Sequence, residues 1–323
     1  MTDVLAPGST IGILGGGQLG RMLSVAASRL GFKTHIFEPS ATPPAGHVAD
    51  RVTTAGYEDA EALAAFAASV DVITYEFENI PTSALDLLES QKPIRPGREA
   101  LRISQDRLTE KTFLQDLGLQ TAPFADITDQ ASLDAALAEI GAPSILEGFV
   151  NFSHEVSVIA ARGVSGEIAC FDPGENVHRD GILHTTTVPA RLSTGQRMDA
   201  VLMAGKILNA LEYVGVLGVE LFVTPQGLIV NEIAPRVHNS GHWTQNGCTV
   251  DQFEQHIRAV VGWPLGDGQR HSDVVMENLI GDDVDRIPEL AKEADCAIHL
   301  YGKAEAKAGR KMGHINRVVK AQA

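Results

Sequence analysis

Two glutamates, Glu220 and Glu232, lie in runs otherwise rich in Val, Leu, Ile and Phe: Val216–Val223 and Leu228–Ile233. Between the runs, Thr224-Pro225-Gln226-Gly227 is a turn signal, with Pro225 suited to the second position of a type I turn and Gly227 to the left-handed residue closing a three-residue hairpin loop. That loop sets Thr224 opposite Leu228, Phe222 opposite Val230 and Glu220 opposite Glu232. Two carboxylates whose Cβ atoms are about 5 Å apart repel unless they share a proton or a cation. An all-oxygen pair with nothing soft nearby suits Mg²⁺, which takes one or two carboxylates and fills its shell with phosphates and water. On the residues alone, a hairpin whose acids point to solvent remains the competing reading.

A second stretch with chemical potential is "IGILGGGQLGR", Ile11 to Arg21, which satisfies G-x-G-x-x-G at Gly15, Gly17 and Gly20. A strand entering a helix through such glycines presents backbone N–H groups to an anion. Glu38 falls about twenty residues on, where the ribose-binding acid of a dinucleotide fold belongs. Pro39 follows it at once, and nothing downstream supplies a hydride-transfer constellation. An NAD(P)-dependent oxidoreductase is the alternative that this stretch leaves open.

These residues need elements to hold them. From residue 10 to about 95 strands alternate with helices: Thr10–Leu14, a helix Gln18–Leu30, Lys33–Glu38, a helix Ala60–Ser69, then Val70–Glu78. That order predicts βαβ units and a mostly parallel sheet. "KPIRPGREA", Lys92 to Ala100, breaks both periods and marks a domain edge. Helices are expected at Asp106–Leu117, Ser132–Ile140 and Thr194–Leu211, and an antiparallel sheet of short strands from Pro143 to Pro189. The tail after Gly266 is mixed in pattern and basic at its end.

The totals restrict the partners. A net charge of −15 over 323 residues excludes the electrostatic footprint of a general nucleic-acid or anionic-membrane binder. Three widely spaced cysteines, Cys170, Cys248 and Cys296, argue against a disulfide framework or a thiolate zinc site. With no signal-peptide pattern at the start and no run of eighteen apolar residues, the expected location is the cytoplasm.

Four stretches carry a family resemblance: "NFSHEVSVIAAR" (Asn151–Arg162), "HRDGIL" (His178–Leu183), "YVGVLGVELFVTPQGLIVNEIAPRVHNSGHWTQNG" (Tyr213–Gly247) and "GRKMGHI" (Gly309–Ile315). Together they resemble the 5-(carboxyamino)imidazole ribonucleotide synthetases, ATP-grasp enzymes of purine biosynthesis, from about Thr10 to Arg317. The resemblance implies an α/β fold of ATP-grasp architecture. A Rossmann-like domain would span 1–95, a central subdomain 96–146, a nucleotide and metal domain 147–265, and a C-terminal region that helps bind substrate phosphate 266–323. It implies a homodimer, and a reaction in which ATP phosphorylates bicarbonate to carboxyphosphate. The exocyclic amine of 5-aminoimidazole ribonucleotide then captures the carboxyl group.

The same resemblance assigns residues. Glu220 and Glu232 become Mg²⁺ ligands, in agreement with the hairpin register, and Asn231 accompanies Glu232 at ATP. Glu147, Gly148, Phe149 and Val150 match the hinge that reads adenine, Glu155 the acid on the ribose hydroxyls, and Arg107 and His178 further nucleotide contacts. Arg236 and His238 match the groups on bicarbonate and carboxyphosphate; an arginine there spreads charge on the transferring phosphoryl group. Lys303 and Arg310 would clamp the ribonucleotide 5′-phosphate, with Gln18 and Leu19 over the ribonucleotide and Glu76 reaching its ribose. A zinc site at His238 and His242 would need a helix, which Ser240-Gly241 disfavours.

One interval departs from the family. Between Ile140 and Glu147, where the family has a strand lysine and a glycine-rich lid, this chain has only "GAPSIL". Loss of a lid that sequesters a labile intermediate puts catalysis in question. A catalytically inactive ATP-grasp binding subunit is therefore the second alternative.

Overall fold

The computed structural model describes residues 4–127, 130, 133–134 and 147–319. The expected helix at Ser132–Ile140 and the "GAPSIL" interval fall almost entirely outside them.

The first unit is a four-stranded parallel sheet in the order β3-β2-β1-β4, from β1 (Thr10–Leu14), β2 (Lys33–Phe37), β3 (Arg51–Thr53) and β4 (Val72–Tyr75). All of β4 and nearly all of β1 and β2 are buried, as near-continuous apolar runs in a parallel sheet require. Helices α1 (Gln18–Arg29), α2 (Ala60–Ala68), α3 (Thr82–Glu89) and α4 (Arg98–Ser104) follow, and α5 (Arg107–Asp116) starts beyond Asp106, whose carboxylate caps the Thr109 amide at 2.7 Å.

The remaining strands make a single nine-stranded sheet: β5 (His154–Arg162), β6 (Ile168–Cys170), β7 (Gly174–Arg179), β8 (Ile182–Val188), β9 (Gly215–Thr224), β10 (Gly227–Ala234), β11 (Asp273–Ile280), β12 (Cys296–Leu300) and β13 (Lys311–Val319). The order is β10-β9-β5-β7-β8-β11-β13-β12, every neighbouring pair is antiparallel, and β6 pairs with β5. The mixed tail of the sequence thus contributes three strands that continue the sheet begun at residue 154.

One face of β5, Val156, Val158 and Ala160, packs with α6 (Thr194–Ala210) through Ala200, Ala204, Ile207 and Leu208. Ile159 and Ala161 on the other face join α7 (Gln252–Val261) and the residues of α1 in one core. His256 of α7 ties the two sheets together: its Nδ1 accepts from the Val216 amide at 3.0 Å, and its Nε2 lies 2.8 Å from the Thr74 hydroxyl.

A row of histidines crosses the second sheet. His299 stacks on His314 at 4.5 Å, His314 lies 4.6 Å from His242, and the Tyr301 hydroxyl is 2.9 Å from His314 Nδ1. Burial holds His256 down at about 3, and His242 and His314 well below the ordinary histidine value of 6.5. Above pH 6.5 these groups are neutral whether the chain is folded or not. Below it the unfolded chain takes up protons that the folded one refuses, so stability falls with pH. Each of the three should cost about 1 kcal/mol between pH 7 and 5.5. The check is the urea midpoint at the two pH values, and an unchanged midpoint would contradict the assignment.

Candidate active site

Glu220 and Glu232 stand directly opposite one another on β9 and β10. The route to that register differs from the one the sequence predicted. The turn closes one residue earlier, with Thr224 paired to Gly227 and Val223 to Leu228, so the strands run out of the expected register as far as Val230 opposite Leu221. A β-bulge at Asn231 then restores it. The bulge is held by α5. Lys111 Nζ bonds the Asn231 carbonyl at 2.7 Å, Glu110 Oε1 accepts the Ile233 amide at 2.6 Å, and Arg107 Nη2 reaches the Asn231 side-chain oxygen at 3.2 Å.

Arg107 is the hub of this corner. Its Nε meets Glu147 Oε1 at 2.7 Å, and its Nη1 meets Glu110 Oε2 at 2.7 Å and Glu232 Oε2 at 3.4 Å. Arg107 thereby contacts three other residues selected from the sequence, Glu147, Asn231 and Glu232. The hinge is already partly engaged, since the Gly148 amide donates to the Pro123 carbonyl at 2.6 Å, while Phe149 is 90% exposed. Val150 is half-buried beside it.

Opposite residues of antiparallel strands share a face, so Glu155, Ser157, Glu220 and Glu232 lie on one side of the sheet. Glu155 Oε2 pairs with His178 Nδ1 at 2.7 Å, which raises the histidine above its ordinary value. Burial, then the charge on Glu232, pushes Glu220 up to about 7. His238 Nε2 lies 3.4 Å from Glu220 Oε1, and Arg236 Nη2 pairs with Glu78 at 2.5 Å. His242, two residues beyond Ser240, turns its ring into the histidine row. Among the described residues no three His, Cys, Asp or Glu side chains are grouped to hold a metal.

The amides of the glycine fingerprint are met by the protein's own carboxylates. Glu76, at the end of β4, accepts from the amides of Gly17 and Gly20, the latter at 2.6 Å, and Glu38 accepts from Gly16 at 2.9 Å. A Cβ at Gly15 would come within 2.5 Å of Glu76 Cγ, and one at Gly17 within 2.6 Å of its Oε1. The glycines are therefore there to admit the protein's own carboxylate, which occupies the place a dinucleotide pyrophosphate would take. This removes the basis of the oxidoreductase reading.

Beside that plug lies a cavity of about 540 Å³ lined by Gly16, Gly17, Tyr57, Glu76, Lys303 and Arg310, among others. Lys303 Nζ crosses to Gln18 Oε1 at 2.5 Å, and burial, then Arg310 and Lys311, lowers it to about 8. Leu19 is 9% exposed and its side chain belongs to the core.

Several participants escaped the sequence reading. Glu110 and Lys111 lie in the same "DRLTEK" as Arg107, with Glu110 one helical turn on; Glu78 is two residues past Glu76; Lys311 follows Arg310. Burial, then the charge on Arg236, lowers Lys311, against the pull of Glu220.

Comparison with known proteins agrees with this geometry. Three family profiles match: a ribonucleotide synthetase preATP-grasp domain over residues 8–105, an ATP-grasp domain over 141–253, and a phosphoribosylaminoimidazole carboxylase C-terminal domain over 274–323. The N5-carboxyaminoimidazole ribonucleotide synthase of Brucella melitensis is 53% identical, with 97% of each chain covered. The chain belongs to the N5-carboxyaminoimidazole ribonucleotide synthase family. The Bacillus subtilis synthase is 42% identical over 97% of this chain and 92% of its own. An N5-carboxyaminoimidazole synthase from Aspergillus clavatus, in complex with ADP and 5-aminoimidazole ribonucleotide, superposes with a TM-score of 0.91 at 29% identity, covering 97% of this chain and 94% of that one. The Brucella alignment runs over 352 positions, more than the 323 residues here, so that synthase carries residues without a counterpart in this chain. As a member of the N5-carboxyaminoimidazole ribonucleotide synthase family, this chain is an ATP-dependent ligase.

Proposed function

We propose a division of labour for the family reaction that this chain performs, ATP-dependent formation of N5-carboxyaminoimidazole ribonucleotide. The observation that carries it is the facing pair Glu220 and Glu232, with His238 3.4 Å from Glu220 and Arg236 two residues before it in the chain. ATP lies along β5, β9 and β10. Glu147 to Val150 border the adenine, Glu155 and His178 the ribose, and Arg107 with Asn231 the phosphate end.

Two carboxylates left facing each other, one of them pushed up to about 7, fit a hard divalent cation whose remaining positions are phosphate and water oxygens. Mg²⁺ bound there would offset charge on the triphosphate and the transferred group. Arg236 and Lys311 supply fixed positive charge where bicarbonate becomes carboxyphosphate, and His238 supplies a hydrogen bond. The ribonucleotide enters from the cavity at the first sheet, with its 5′-phosphate on Lys303 and Arg310 and its ring near Gln18. Glu76 borders that cavity with each oxygen bonded to one amide, which leaves a lone pair on each for a ribose hydroxyl of the ribonucleotide. A cytoplasmic homodimer belongs to the same reading, supported by three free thiols and the family resemblance. Among the described residues no helix is long and apolar enough to cross a membrane.

Phosphate release from ATP should require both bicarbonate and 5-aminoimidazole ribonucleotide. In the same assay Gln18→Ala should raise KM for the ribonucleotide roughly tenfold, the scale of one lost hydrogen bond to a bound group, and leave KM for ATP nearly unchanged. Ribonucleotide binding without turnover would instead favour the inactive subunit.

A further inference from the structure

His238 is held by more bonds than a residue that merely fills space needs. Its backbone is clamped at both ends by Gln252, whose Oε1 accepts the His238 amide at 2.9 Å and whose Nε2 donates to the His238 carbonyl at 2.8 Å. Gly218 on β9 leaves the room its side chain occupies, since a Cβ there would lie 2.8 Å from His238 Cβ. The ring is fixed through Nδ1. The Ser240 hydroxyl lies 2.8 Å from it and the Ser240 amide 3.4 Å, and the Ser157 hydroxyl donates to Ser240 Oγ at 2.7 Å. Both serines are buried, and Ser157 stands opposite Glu220 in the sheet.

An amide N–H can only donate, so Nδ1 must be the unprotonated, accepting nitrogen. Ser240 Oγ then donates to Nδ1 and receives the proton of Ser157, and the three groups form a line with one polarity. The ring proton is left on Nε2, the atom 3.4 Å from Glu220 Oε1. We infer that Ser240 and Ser157 are positioning residues for the reaction: they set His238 as a neutral imidazole that donates from Nε2 toward the phosphoryl site and accepts nothing there. His238 is thereby a hydrogen-bond donor to developing oxygen charge, and not the base that removes a proton from bicarbonate or from the amine. This rests on the proposed placement of His238 beside the reacting group.

The test begins with full-length protein labelled with ¹⁵N at histidine. Two-bond ¹⁵N–¹H correlations assigned by loss in His238→Gln should show Nδ1 unprotonated and Nε2 protonated. The opposite tautomer would overturn the inference whether or not the enzyme turns over, which separates its failure from that of the functional reading. In kinetics, Ser240→Ala should lower kcat about 10- to 100-fold, the range for removing a group that orients a reacting one, with both KM values within about twofold. Ser240→Thr should recover most of the loss, and Ser157→Ala should cost less than Ser240→Ala. In a His238→Gln background, Ser240→Ala should change nothing further; an equal additional loss there would show that Ser240 acts independently of the histidine.

Discussion

Glu232→Gln is expected to lower phosphate release by about a thousandfold while leaving the protein as stable as before or slightly more so. The two halves of that expectation come from one geometry. Glu232 stands opposite Glu220 with its side chain 44% exposed, whereas Glu220 is 15% exposed and is pushed up by burial and by its neighbour's charge. Replacing Glu232 with a neutral isostere relieves that repulsion, so folding gains. The same change halves the charge available to a cation at the triphosphate, so catalysis loses. Steady-state phosphate release and a thermal melt on the same preparation separate the outcomes. Full activity in the variant would overturn the metal assignment, and a lowered melting temperature would overturn the account of the pair as mutually repulsive.

The second large effect lies on α5, away from the reacting atoms. Glu110→Ala should destabilise the protein by about 3 kcal/mol and raise KM for ATP as well. The Glu110 side chain is 2% exposed and both of its oxygens are committed, one to the Ile233 amide at 2.6 Å and one to Arg107 at 2.7 Å. Its removal strands a backbone N–H beside the bulge and releases the arginine that links Glu147, Asn231 and Glu232. Glu110→Gln retains an acceptor and should cost about 1 kcal/mol. Denaturant titration gives the stability change, and ADP binding to the folded variant reports whether Arg107 has lost its setting. Equal stability of Glu110→Ala and the wild type would sink the proposal.

What the sequence disclosed and what it hid divide along local and distant causes. The first sheet was legible because β1, β2 and β4 are short apolar runs with helices between them, and the expected bounds agree with the observed ones within a few residues. The facing of Glu220 and Glu232 was legible too, yet through two offsets that cancel: a turn one residue shorter than expected and a bulge at Asn231. No local pattern could reveal that bulge, because the groups that hold it, Lys111 and Glu110, lie more than a hundred residues earlier. The fingerprint glycines likewise answer to Glu76, which closes on them from the end of another strand. Strands β11 to β13 escaped notice because buried His314 and Asn316 interrupt the apolar alternation; His314 Nδ1 and Asn316 Nδ2 find partners in Tyr301, His242 and Asn246 that only the folded sheet supplies.

The order of strands at the far end of the second sheet also constrains how the chain reaches this state. β12 precedes β13 in sequence but touches the sheet only through it, since β13 lies between β11 and β12. β12 and β13 pair antiparallel across about ten residues, so they can close as a hairpin first; that hairpin must then dock on β11 across some thirty intervening residues, a longer loop whose closure opposes the step. Until then the edge of β11 is open, and it is the natural place for a chaperone, or a second unfolded chain, to attach.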